Sequence, residues 1–371
     1  MKILLLGNYP NLRSQSMDRF AGVLYDRLRA TGHPVRLIKP QPFFGRVLPS
    51  ATGFGKWLGY LDRFLIFRPV LKHSADWADI VHICDQANAI YTPLLNRKPH
   101  LVTCHDMLSI RSALGEITEH KTGPTGKVYQ RWILSGIKQA RYVACVSKTT
   151  YDDLLRLTGL ETDRVSVVRN GLNYAYHPMS EKLSYFHLAQ IGIADTRPFF
   201  LHVGNNNWYK NKQGLLRIFS QLTHLASGKN LHLVLAGQAL TNSLRFLAQK
   251  IGVYDRIRET PNLTNEQLCA LYSCAEGLIF PSLEEGFGWP IIEAQACGCP
   301  VFTSNRAPMT ENSGSAAVFF DPLNETVAAR IIWKAIQHKA LLQERGYQNA
   351  MKFSTEIMIS DYVDYYRQII L

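Results

Sequence analysis

The sequence predicts an α/β protein made of two doubly wound, Rossmann-like domains that face each other across a cleft. Three observations predict it. Short β-branched or leucine-rich runs alternate with amphipathic helical stretches, the pattern of parallel strands joined by helical crossovers. The same rhythm begins again in the second half of the chain. A length of 371 residues accommodates two domains at roughly 150 residues each.

In chain order, the opening MKILLLGNYP reads as a first strand at 2–6. Its apolar core is too short for a signal peptide, and no small-residue cleavage site follows. Further strands are expected at 35–39, 79–83, 101–104, 142–145 and 165–168, with helices near 17–31, 56–72, 126–139 and 148–158. Strand signals lapse over 172–197, which marks a domain boundary. The second half gives strands near 199–203, 232–236, 277–280, 301–303 and 318–320. Helices are expected between them near 211–227, 241–251, 264–273 and 290–298. The segment STEIMISDYVDYYRQIIL has helical apolar spacing at Ile357, Tyr362, Tyr365, Tyr366 and Ile369, so it needs a surface to pack on. The expected division is 1–175, 176–353 and a final helix over 354–371 that packs back on the first domain.

Composition narrows the class. A hydrophobic content of 46% with 19% charged residues excludes a disordered chain, which is poorer in apolar residues. No run reaches the roughly 18 apolar residues of a membrane span, and a cytoplasmic location is expected. Seven cysteines, an odd number without framework spacing, suggest reduced thiols. No Cys-x-x-Cys, His-Glu-x-x-His or Asp-x-Asp run occurs, so neither a metal nor another cofactor is expected.

The net charge of +12 is uneven: residues 1–175 hold 24 Lys+Arg against 13 Asp+Glu, or +11, which leaves +1 for the rest. Such a bias suits an anionic membrane surface, a nucleic acid or an acidic substrate. No nucleic-acid motif accompanies it, so nucleic acid is not expected as a partner. The stretch KWLGYLDRFLIFRPVLKH, residues 56–73, puts Trp57, Leu61, Phe64 and Leu65 on one helical face, with Lys56, Arg63, Arg68 and Lys72 on or beside the other. That arrangement suits an anionic membrane surface at the inner face of a bilayer, or an ordinary helix packed on its domain.

The most informative stretch is PSLEEGFGWPIIEAQACGCP, residues 281–300. A strand ends at Pro281, a glycine turn follows, and a helix begins near Trp289 or Pro290, a position where proline is favoured. Gly286 and Gly288 let the backbone approach a ligand beside a helix N-terminus, an arrangement that favours phosphate or sugar oxygens. Glu285 and Glu293 flank this turn. A carboxylate accepts two hydroxyl protons at once, which suits Glu293 to the vicinal hydroxyls of a ribose and leaves Glu285 beside a transferred group. Read without context, the two acids would only stabilise the helix dipole.

The stretch EEGFGWPIIEAQACGCPV resembles the E-x7-E signature of the retaining glycosyltransferases of family 4, members of the GT-B fold class, usually seen as EGFG-x-P-x-x-E-A-x-A-x-G-x-P-V. The resemblance runs along nearly the whole chain, through ADIVHICD, LVTCHDM, RYVACVSKTT and VVRNGLNYAYHP, then LHVGNNNWYKNKQGLLRIF, LVLAGQ, LTNEQLCALYSCAEGLIFPS and APMTENSGSAAVFFDP. It implies transfer of a sugar from a nucleotide-sugar donor, held by the second domain, to a glycan or lipid-linked acceptor, held by the first. It also implies retention of anomeric configuration and, by family habit, a place in bacterial surface-polysaccharide assembly.

Residue by residue, Lys210 matches the phosphate-binding lysine, Glu293 the ribose-binding glutamate, and Glu285 with Gly286, Phe287 and Gly288 the group that orients the donor sugar. His105 matches a histidine that approaches donor sugar or acceptor. Asp106 beside it either orients the imidazole or caps the next helix. Ser147, Asn170 and Gly171 match landmarks that are also plausible cap or turn residues. Where the family commonly has an arginine after the glycine of the donor loop, this chain has Asn205, so either the diphosphate meets one cation fewer or Lys212 substitutes. The first glycine loop departs too, with Met17 where a small residue is common, which leaves the acceptor open. Two other readings stand beside this one: a catalytically silent GT-B binding subunit, favoured by the missing arginine, and a sugar-nucleotide epimerase, which the E-x7-E landmarks oppose.

Overall fold

The computed structural model describes residues 1–10, 15–46, 58–193, 195, 198–226 and 230–371. Two compact units divide the chain, one comprising Met1–Asn173 with Thr355–Leu371 and the other Tyr174–Ser354. Each carries a six-stranded sheet whose neighbouring strands all run parallel.

In the first unit, strands β1 (Ile3–Leu6), β2 (Val35–Ile38), β3 (Ile80–Ile83), β4 (His100–Cys104), β5 (Tyr142–Cys145) and β6 (Val165–Val167) lie in the order β2-β1-β3-β4-β5-β6. Helices α1 (Gln15–Ala30), α2 (Phe67–Trp77), α3 (Leu108–Leu114), α4 (Pro124–Gln139) and α5 (Lys148–Thr158) provide the crossovers. Every residue of β1, β3 and β4 is buried. Central strands covered on both faces read as unbroken apolar runs, which is why the sequence shows them so clearly.

The second unit begins with α6 (Glu181–Gln190), inside the stretch where strand signals lapse. It then alternates β7 (Phe199–Gly204), α7 (Lys212–Leu225), β8 (His232–Gly237), α8 (Asn242–Lys250), β9 (Ile257–Thr260), α9 (Asn265–Cys274), β10 (Gly277–Phe280), α10 (Trp289–Ala296), β11 (Val301–Ser304), α11 (Met309–Ser313) and β12 (Ala317–Phe320). Helices α12 (Glu325–Ala335) and α13 (Lys339–Ala350) follow. The strand order is β12-β11-β10-β7-β8-β9. Strand β9 has no counterpart in the sequence reading. It pairs only with β8, and Arg258 and Glu259 stay half-exposed between the buried Ile257 and Thr260. An edge strand with one apolar residue among its four carries little apolar signal.

The last helix, α14 (Thr355–Ile370), belongs to the first unit. It buries Met358, Ile359, Tyr362, Tyr365, Tyr366 and Ile369, while Ile357 points outward. The Tyr366 hydroxyl lies 2.6 Å from His82 Nδ1, and the Tyr362 hydroxyl lies 2.9 Å from Thr103 Oγ1. Thr103 Oγ1 is in turn 2.7 Å from His82 Nε2. Two sheet residues that would otherwise be buried polar liabilities are thereby satisfied.

The 56–73 helix differs in detail from its sequence reading. Lys56 and Trp57 lie outside the described residues. Asp62–Ile66 form a π-turn ahead of α2, and the i→i+5 spacing shifts the phase of the faces that follow. Arg63 is consequently buried, with its Nη2 2.5 Å from the Tyr129 hydroxyl, rather than on a basic outer face. Phe64 turns inward against Trp132, centroids 4.7 Å apart. Leu61, Leu65, Ile66 and Val70 remain exposed. The Asp62 carboxylate is buried and accepts from the amides of Phe44 and Gly45 and from the Tyr9 hydroxyl.

Candidate active site

The strand order of the second unit locates its site. In an open parallel sheet, ligands bind beyond the carboxyl ends of the strands where the winding direction reverses. Here that point lies between β7 and β10, which are neighbours in the sheet although far apart in sequence. The segment after β7 carries Asn205, Lys210 and Lys212, and the segment after β10 carries Glu285 through Gly288.

These two segments meet. Lys210, at the end of a 3-10 turn over Trp208–Lys210, places Nζ 2.6 Å from Glu285 Oε1, and neither side chain is more than about a tenth exposed. The same ammonium lies 4.8 Å from the centre of the Phe280 ring. Lys212 follows at the head of α7, only 4% exposed, and its Nζ donates to the Gln238 carbonyl at 3.0 Å. Burial, with the Lys210 charge assisting against an opposing effect from Glu259, pulls its pKa down to about 8. Asn211, at φ +50°, caps α7 by accepting from the Gly214 amide. Asn205 forms a local turn by accepting from the Asn207 amide at 3.0 Å.

The glycine turn is held from beneath. Gly288 sits at φ +90°, where a side chain would be strained, and opens α10. The Phe287 carbonyl accepts from Asn312 Nδ2 at 2.6 Å, and the Phe287 ring packs edge-on against Trp289 and Phe353. Asn349 donates to both Gln295 and the Asn312 carbonyl, which extends this support. Glu293 is buried within α10, and its Oε2 accepts from the Tyr272 hydroxyl at 3.0 Å. The structure therefore brings Lys210, Lys212, Glu285 and the glycine turn to one switch point, and buries Glu293 in α10 beside Tyr272. Tyr272, Gln238 and Phe280 lie within stretches that already match the family, LTNEQLCALYSCAEGLIFPS and LVLAGQ, but only the sheet order gives them a place at the site.

His105 belongs to the first unit and follows β4 there. It is 5% exposed, its Nε2 lies 2.9 Å from the Cys84 carbonyl oxygen, and it meets Phe20 edge-on at 4.8 Å. Since a carbonyl only accepts, Nε2 carries a proton, and burial lowers the pKa, so the imidazole is neutral. Asp106 accepts from the Leu108 amide at 3.0 Å in the turn that leads into α3. Ser147 is the N-cap of α5. At this unit's own switch point, between β1 and β3, Asn8 donates to Asp85 at 2.5 Å and accepts from Asn88 at 2.5 Å.

Among the described residues no cluster of three His, Cys, Asp or Glu side chains suits a metal ion, and no helix is long and apolar enough to cross a membrane.

Paired parallel sheets with lysines and a carboxylate converging at one switch point define a glycosyltransferase of GT-B architecture. The chain belongs to family 4 of these enzymes: residues 17–176 match the family described as Glycosyltransferase Family 4, and residues 186–353 match Glycosyl transferases group 1. Among its relatives, the O-antigen chain mannosyltransferase B of Escherichia coli is 27% identical over 337 residues, 86% of this chain and 84% of that protein. The O-antigen chain mannosyltransferase RfbU of Salmonella typhimurium is 27% identical over 239 residues, 62% of each chain. The crystal structure of HepE from Anabaena in complex with UDP and glucose shares the fold with a TM-score of 0.76 at 18% identity, covering 99% of this chain and 100% of that one.

Proposed function

We propose that the chain transfers a hexosyl unit, with retention of configuration and without a metal ion, from a nucleoside-diphosphate sugar to a lipid-linked glycan in the assembly of a bacterial surface polysaccharide. The observation that carries this reading is the buried Lys210–Glu285 pair at the β7/β10 switch point with Lys212 behind it. Two buried ammonium groups against one directly paired carboxylate form a site with charge to spare for an anion. A diphosphate supplies that charge, and it gains more as the glycosidic bond breaks. Fixed cations and the amides of the glycine turn then stabilise the transition state more than the ground state.

In the reaction, the acceptor oxygen bonds to the anomeric carbon as the bond from that carbon to the diphosphate oxygen breaks. The acceptor proton passes to the departing diphosphate on the same face. The lysines compensate the charge that a divalent cation would otherwise meet. Glu285 orients the sugar and Glu293 the ribose, while His105 serves the acceptor-side unit as a neutral hydrogen-bonding group. The O-antigen mannosyltransferase relatives support the polysaccharide context.

A surface on the first unit supports the lipid-linked acceptor. Leu61, Leu65, Ile66 and Val70 are exposed before and along α2, and Val128 and Trp132 are exposed on α4, which Phe64 joins to them. Exposed Arg68, Lys72, Lys127 and Arg131 surround these apolar groups. Apolar side chains ringed by cations suit the headgroup region of an anionic bilayer.

Calorimetry with UDP-, GDP-, ADP- and TDP-sugars, with and without EDTA, tests the donor, and transfer to lipid-linked acceptors with NMR of the anomeric centre tests the reaction. Selective binding and an α-linked product from an α-linked donor are expected. Binding without turnover on any acceptor would favour the silent-subunit reading, and inversion or EDTA sensitivity would overturn the mechanism.

A further inference from the structure

His202 is a charged-capable residue in an apolar strand that the donor reading does not use. It lies on β7 two residues before Gly204 and is completely buried. Its ring stacks on Phe280, centroids 6.3 Å apart at 28°, the same ring that Lys210 Nζ overlies. Nδ1 lies 3.0 Å from the Ile279 carbonyl oxygen. A carbonyl only accepts, so Nδ1 carries the proton and the tautomer is fixed.

Nε2 is therefore a bare lone pair, and it is buried without a hydrogen-bond partner. It lies close to Lys210: the point where a Cβ on Gly204 would stand is 3.4 Å from His202 Nε2, 3.4 Å from Lys210 Cδ and 3.5 Å from Lys210 Cε. Gly204 thus puts no side chain between the imidazole and the stem of the lysine, a passage that a Cβ there would fill. Burial, together with the nearby Lys212 and Lys210 charges, holds the imidazole pKa down to about 3, so the lone pair persists at neutral pH. A buried acceptor without a partner is unfavourable, and a group left in that state calls for an explanation, a functional role among them.

Lys210 has one partner position occupied, on Glu285. A bound donor competes for both: its diphosphate attracts the ammonium, and its sugar engages the carboxylate. We propose that His202 is a positioning residue for Lys210, its Nε2 accepting an N–H of the Lys210 ammonium when a nucleoside-diphosphate sugar parts that ammonium from Glu285. An ammonium has three donors, so one remains directed at His202 while the others meet phosphate oxygens. The inference rests on the donor site proposed above.

The test uses the full chain with UDP, GDP and their glucose and mannose esters as probes. Hydrogen bonds to a charged group are the strong class. His202→Phe keeps the stacking on Phe280 but removes the lone pair, and should weaken affinity for the bound nucleotide sugar by roughly tenfold. His202→Gln, which returns an acceptor oxygen near the Nε2 position, should recover to within about threefold of the parent on the same basis. Gly204→Ala fits the space in ordinary van der Waals contact but blocks the passage, and should behave like His202→Phe.

A readout that a merely structural role would not move is the 15N signal of Nε2 in histidine-labelled protein, assigned by its loss in His202→Phe. It should shift upfield on saturation with the nucleotide sugar and stay in place with glucose alone. If none of the probes binds the parent protein, the donor reading falls and the inference with it. If the parent binds but the Nε2 signal does not move, or His202→Phe binds as tightly as the parent, the inference alone is overturned.

Discussion

The two sheets share an architecture and differ at their switch points. In the second unit the crossing of β7 and β10 is furnished with Lys210, Lys212 and Glu285, charged groups in a buried setting. In the first unit the crossing of β1 and β3 is filled by Asn8, Asp85 and Asn88, which bond one another, with the neutral His105 beside them. One crossing gathers two ammonium groups beside a carboxylate. The other holds a single carboxylate, Asp85, that accepts from a neighbouring amide. The comparison also relocates the charge of the sequence: the +11 of residues 1–175 lies in part on exposed Arg68, Lys72, Lys127 and Arg131. Net charge by region therefore points to an outer face, whereas buried charge points to chemistry.

The sharpest way to break this contrast is Lys210→Ala. Turnover should fall by roughly 100- to 1000-fold, as for loss of one oxyanion donor, and a loss of less than about tenfold would remove Lys210 from the donor site. Tyr366→Phe, in the first unit, should act oppositely. It strands His82 Nδ1 and should lower stability by about 1–3 kcal/mol, measured by denaturant titration, while leaving nucleotide affinity unchanged.

Next in size is a pH effect confined to the second unit. The Lys212 pKa is depressed to about 8, so the ammonium is lost as pH rises through that value. Nucleoside-diphosphate affinity should fall by about tenfold per pH unit at most above it, the limit for one proton, and Lys212→Met should flatten the profile. The sign for stability is opposite. A base whose folded pKa lies below its unfolded value destabilises the fold where it is charged, so this contribution improves as pH rises from about 8 toward the unfolded range. The smallest effect belongs to the outer face of the first unit. Arg68→Glu with Lys72→Glu should weaken binding to phosphatidylserine vesicles by several-fold per charge, at about 1 kcal/mol each, with donor affinity intact.

Much of this was legible in the sequence because its signals are local. Central strands such as β1, β3 and β8 announce themselves by continuous burial, and Glu285 and Glu293 share one linear motif. What escaped is what depends on partners. Strand β9 has a single apolar residue, Ile257, and only one neighbour covers it. Helix α6 falls in a stretch read as a linker, and its exposed Leu183, Tyr185 and Phe186 obscure any single apolar face. Arg63 looks like a surface cation until the π-turn rotates it inward. Tyr272 and Phe280 sit in a matching stretch but gain a place at the site only from the sheet order, and His202 passes as one residue of an apolar strand until its tautomer and its bare nitrogen are seen together.

The helix α14 that returns to the first unit has a consequence for how the molecule comes into being. Its hydroxyls complete the polar pairing of His82 and Thr103, which emerge from the ribosome about 260 residues or more before them. Synthesis therefore cannot finish the first unit first. The intervening Tyr174–Ser354 has its whole sheet available to form while its predecessor waits with two unsealed polar groups, so a nascent chain stalled before residue 355 should carry a protease-resistant second unit and a still-sensitive first.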